Sequence, residues 1–69
     1  MQEPAYQTRV RQEHFDLSTK YHALDDFILN SPVFKDLPAE DQLLLSQQKN
    51  VMSQYRDILK KRIERFPNS

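Results

Sequence analysis

Two prolines near the middle of the chain, Pro32 and Pro38, divide it into two long segments whose apolar residues recur at helical spacing. Proline fixes φ, lacks an N–H and pushes the preceding residue out of the α region, so each marks a place where a helix ends or begins. The other two, Pro4 and Pro67, lie towards the outer ends, and glycine is absent. Few other breakers interrupt the segments. The expected fold is therefore all-α: an antiparallel two-helix hairpin with a short proline-bounded turn. Helix 1 is expected over about 5–30, the turn over 31–37 and helix 2 over about 38–66, as one domain covering 1–69.

In helix 1 the stripe is Tyr6, Val10, Leu17, Tyr21, Leu24 and Ile28, flanked by Phe15 and Phe27. Asn30 is a C-terminal stop before Ser31-Pro32; alternatively Ser31 caps a single short turn through Val33, Phe34 and Lys35. Phe34 and Leu37 are expected to plug that end. Helix 2 opens with Glu40 and Asp41, which suit the positive end of the helix dipole, and closes with Lys60, Lys61, Arg62 and Arg65 at the negative end. Its main stripe reads Leu45, Gln48, Met52, Tyr55, Leu59, Arg62 and Phe66. A second line, Leu44, Val51 and Ile58, runs beside it at heptad spacing. If Ile28 faces Leu45, then Leu24 meets Gln48, Tyr21 meets Met52, Leu17 meets Tyr55, Val10 meets Arg62 or Ile63, and Tyr6 reaches Phe66.

Helix 2 thus carries more apolar surface than one partner helix covers. A single core in so short a chain yields only about 3–5 kcal/mol. Without cysteine there is no disulfide or thiolate metal site to add to it. Association is the remaining route to stability, so a homo-oligomer is expected.

Several function classes fall away. Glycine-dependent phosphate loops and nucleophile elbows are excluded by composition. No nucleophile–base pair or carboxylate dyad stands out, so no enzyme activity and no cofactor are expected. His14 and His22 do not match the i, i+4 spacing of paired helical metal ligands. The longest apolar runs, Phe27-Ile28-Leu29 and Leu43-Leu44-Leu45, are far short of the roughly 20 residues of a membrane span. Met1-Gln2-Glu3-Pro4 lacks the basic and apolar regions of a signal peptide. A soluble, cytoplasmic protein is the expectation.

The formal net charge is zero, but it is polarised: net +1 over residues 1–12, −5 over 13–41 and +4 over 49–65. In an antiparallel hairpin Arg9 and Arg11 come beside Arg62 and Arg65, among Tyr6, His14 and Phe66. Such a pole either serves a ligand with phosphates and stackable rings or is an ordinary solvated basic face. Lys20, close to the seam, either covers apolar surface with its stem or meets a phosphate at a subunit junction. Glu13 is expected in a structural ion pair with Arg62 or Arg9, and Gln48 and Tyr55 are expected to set register. Zero net charge and the acidic middle segment argue against binding long nucleic acid.

The pattern Arg9-Val10-x-x-Glu13-x-x-x-Leu17-x-x-Lys20-x-x-x-Leu24-x-x-Phe27-Ile28 resembles a family of small phage proteins first noted in crAss-like phages. So does Leu44-Leu45-x-x-Gln48-x-x-x-Met52-x-x-Tyr55-x-x-x-Leu59-x-x-Arg62-Ile63-x-x-Phe66, with Leu37-Pro38 between the two halves. That family looks related to the anti-CBASS sponges and, more distantly, to the hairpin part of the Thoeris anti-defence sponges. The resemblance implies a hexamer of helical hairpins that sequesters cyclic oligonucleotide immune messengers without cleaving them. Cyclic dinucleotides would sit between pairs of protomers and cyclic trinucleotides at a separate site, in the cytoplasm of the infected bacterium. By this resemblance Tyr6 stacks on bases and Lys20 meets phosphate, while Arg56 or Arg62 belongs to the trinucleotide site; Arg9 joins them from the basic pole. The competing reading is a helical interaction module that binds a host or phage protein through Leu44, Val51 and Ile58.

Overall fold

Prolines mark the start of each helix and the end of α1. The computed structural model describes residues 3–67 and contains α1 (Ala5–Asn30), α2 (Pro32–Asp36) and α3 (Ala39–Glu64). The outermost residues of the 1–69 domain, including the Met1-Gln2 part of the signal-peptide argument, lie outside the described residues. Pro4 and Pro38 both adopt extended backbone immediately before the long helices. Their carbonyls accept the first helical N–H groups, from Gln7 at 3.0 Å and from Gln42 at 3.1 Å. At the other end of α1, Pro32 holds Ser31 at φ −84°, ψ 127°, which stops the helix at Asn30.

The connection between the long helices contains a helix of its own. Ser31 Oγ accepts the Val33 N–H at 3.2 Å, and Pro32 occupies the first turn, where a missing N–H costs nothing. The side chain of Gln42 then donates to the carbonyls of Leu37 (2.9 Å) and Lys35 (3.3 Å), tying the end of α2 to the start of α3. Phe34 packs edge-to-face on Phe27, with ring centroids 6.0 Å apart. Both readings of this segment hold: α1 stops at Asn30, and Ser31 caps the short turn that follows.

The helices α1 and α3 run antiparallel: Tyr6 lies against Phe66, Ser18 bonds Arg56, and Asp25 pairs with Lys49. The result is a rod of 52 × 16 × 15 Å. Its core is small and lies towards the Phe66 end. Leu59, 1% exposed, packs there with Val10 and Phe66, and Leu17 and Ile63 flank them. Val10, with Arg62 and Ile63 both open as partners, shares this cluster with Ile63.

The seam itself differs from the expected stripe by one residue at alternate turns. On α3 the positions turned towards α1 are Leu45, Lys49, Met52, Arg56, Leu59, Ile63 and Phe66, whereas Gln48, Tyr55 and Arg62 are exposed. On α1 the buried or half-buried row is Gln7, Val10, His14, Leu17, Tyr21, Leu24 and Ile28, so Gln7 takes the place given to Tyr6. The cause is that long cations lay their stems along apolar surface and place their heads on polar partners. The Arg56 Nε donates to Ser18 Oγ at 3.1 Å while its guanidinium lies 4.5 Å from the Tyr21 ring centroid. Lys49 pairs with Asp25 in the same way. Their neighbours Tyr55 and Gln48 are rotated outwards by roughly 100° as a consequence of helical geometry.

No helix among the described residues is long and apolar enough to cross a membrane.

Candidate functional site

A shallow groove of about 480 Å³ runs along the hairpin, walled by Arg9, Gln12, Glu13, Asp16, Leu17 and Lys20 of α1 and by Tyr55 of α3. The α1 residues share this surface because positions three, four, seven and eleven apart fall on one helical face. Arg9 and Lys20 stand at its two ends, about 16 Å apart along the helix axis at roughly 1.5 Å per residue. Glu13 and Asp16 lie between them, and Leu17 with the Tyr55 ring supplies the apolar part. The groove therefore offers cations at its ends, hydrogen-bond acceptors in the middle and an aromatic edge.

The five candidate binding residues are not all in one place. Arg9 and Lys20 meet in the groove. Tyr6 sits at the Phe66 end, 49% exposed, edge-to-face on Phe66 with centroids 5.7 Å apart, and its hydroxyl accepts from Gln7 Nε2 at 3.2 Å. Arg56 lies within the α1–α3 seam, held by Ser18 and Tyr21. Arg62 is exposed on the outer face of α3. Among the described residues Glu13 forms no ion pair with Arg62 or Arg9; the pairs that do form are Arg11–Glu3, at 3.0 Å, and Lys49–Asp25. Arg11 also lies 5.4 Å from the centroid of the Phe66 ring, so of the cations expected at this end it is Arg11 that meets the aromatic pair Tyr6–Phe66.

Tyr55 is the groove residue that sequence reasoning assigned to register instead. Its signal is its place between Val51 and Ile58, which with Leu44 form an exposed apolar line on α3. Val51, the middle member, is 63% exposed. The groove thus borders directly on the surface that one chain leaves uncovered. Among the described residues no group of three or more His, Cys, Asp or Glu side chains is placed to hold a metal ion. His22 stacks edge-on against Tyr21, with centroids 5.4 Å apart.

The model of the Sequestin family matches residues 4–65, both arms of the hairpin and the α2 turn between them. The chain belongs to the Sequestin family. A relative in this small phage family is the uncharacterized 7.5 kDa protein of the denB-rIIB intergenic region of Enterobacteria phage T4. It is 42% identical over 62 residues, which cover 90% of this chain and 95% of the relative. No solved structure matches the chain.

Proposed function

We propose that the protein is a non-enzymatic phage sponge that sequesters cyclic oligonucleotide immune messengers in the cytoplasm of the infected bacterium. The family name points to sequestration, and the groove gives that role a chemistry. The observation that carries the reading is that the cation-ended groove has an aromatic edge, Tyr55, on the border of an uncovered apolar line. One thin hairpin supplies only part of a binding site there, and a homo-oligomer, in our reading a hexamer, supplies the rest.

A cyclic dinucleotide brings two phosphates and two ring faces. Arg9 and Lys20 meet the phosphates as charge-assisted donors, each contact contributing about 1.5–3 kcal/mol. Tyr55 within the groove and Tyr6 from the basic pole offer rings, at about 1–3 kcal/mol per stacked base. Glu13 and Asp16 can accept hydrogen bonds from the amino and imino groups of bases, which a bare phosphate lacks. Two contacts of each kind amount to roughly 5–12 kcal/mol, close to the nanomolar range of about 12 kcal/mol that a sponge needs. Arg56 or Arg62, both set apart from the groove, is the residue we assign to a second, trinucleotide site.

Isothermal titration against a panel of cyclic di- and trinucleotides tests this. Saturable binding with the nucleotide recovered intact after denaturation is the expected result, and flat thermograms across the panel overturn it. The exposed Leu44, Val51 and Ile58 also fit an interaction module for a host or phage protein, which would leave the free protein as a monomer with that line open.

A further inference from the structure

The apolar line on α3 has a symmetry that selects its partner. Leu44 and Ile58 lie seven residues to either side of Val51, and all three are more than half exposed. Four residues beyond Leu44 towards the start of the helix is Glu40, and four beyond Ile58 towards its end is Arg62. Asp41 and Lys61 are likewise equidistant from Val51. The acids occupy the first turn of α3 and the bases its last turn, and all four side chains are exposed.

We infer that this face of α3 docks on the same face of a second copy of the chain, antiparallel, about a two-fold axis at Val51. The pairing deepens the sponge reading and rests on its homo-oligomeric part, not on the ligand. In this arrangement Val51 meets the partner's Val51, and Leu44 meets the partner's Ile58. Glu40 comes beside the partner's Arg62, both lying within roughly 20° of the Val51 line. An isologous interface makes each contact twice, so two apolar pairs and two opposite-charge pairs form around one central valine contact. The seven-residue period keeps the line facing a partner over all of its length, as in left-handed helix pairing. The parallel alternative would superimpose acids on acids and bases on bases, which disfavours it. Antiparallel pairing also lays the second copy alongside Tyr55, four residues after Val51 and three before Ile58. The groove would then gain a wall that one chain does not provide.

The chain has no cysteine, so single-cysteine variants report the pairing directly. Under mild oxidation Val51→Cys is expected to form a disulfide dimer on the order of a thousandfold faster than Lys60→Cys, because pairing raises the local thiol concentration from micromolar to millimolar. Leu44→Cys alone stays unlinked, whereas Leu44→Cys co-expressed with Ile58→Cys links across the interface. A rapid Leu44→Cys homodimer would establish parallel pairing and overturn the proposal. So would a Val51→Cys protein that links no faster than Lys60→Cys. Neither result touches nucleotide titration, so failure of this interface and failure of the sponge reading are separable.

Discussion

Leu59 concentrates much of what holds one chain together. It is nearly inaccessible to water, and Val10 and Phe66 are the other apolar side chains buried with it among the described residues. Leu59→Ala is expected to cost about 2–5 kcal/mol, comparable with the roughly 3–5 kcal/mol that so small a core supplies. Circular dichroism at micromolar concentration should show the variant largely unfolded; a melting temperature within a degree or two of the parent would contradict this. Gln7 acts in the opposite sense. It is 2% exposed, and its Oε1 has no hydrogen-bond partner. A buried, unsatisfied acceptor costs about 1–3 kcal/mol, so Gln7→Leu should raise the urea midpoint, and a lowered midpoint would show that the oxygen is satisfied in the assembled protein.

Lys49 gives a residue-scale prediction in pH. The hydrogen bond to Asp25 raises the lysine above its ordinary value of 10.5; desolvation opposes it, and the charges of Asp25 and Tyr21 add to the rise. Because the folded value is the higher one, the stabilisation is fully present below 10.5 and is lost as pH rises through the folded value. The stability difference between the parent and Lys49→Gln should therefore be constant near neutrality and shrink above pH 10.5. A difference that persists unchanged at higher pH would show that the ammonium is not what matters.

At the scale of the elements, the one-turn α2 depends on Ser31. With the hydroxyl removed, Val33 N–H loses its acceptor, and Ser31→Ala should cost about 0.5–2 kcal/mol by urea denaturation. A cost near zero would mean that Pro32 alone sets the turn. The helices themselves were legible in the sequence because prolines and the absence of glycine punctuate the chain. The rotation of α3 was less so. A stripe read by hydrophobicity picks Tyr55 over Arg56 and Gln48 over Lys49, whereas Arg56 stacks on Tyr21 and Lys49 reaches Asp25. The same rotation hid the groove: it carries Tyr55 out of the seam, next to Arg9 and Lys20, and leaves Arg62 on the outer face. From the sequence, Arg9 is set at the basic pole and Lys20 near the seam, and the two are not brought together. Which residue of α3 would join them depended on partners across the seam, and single-helix periodicity contains no information about those.

At the scale of the whole molecule, a 52 Å rod with few buried side chains among the described residues leaves a long apolar line open to solvent. Burial of that line against sister copies would stabilise the hairpin and complete the groove at once. Light scattering over a dilution series tests this most directly. The account predicts a mass several times that of one chain, with helical signal and assembly lost together on dilution. A fully helical particle with the mass of a single chain, persisting at the lowest concentration, would contradict it.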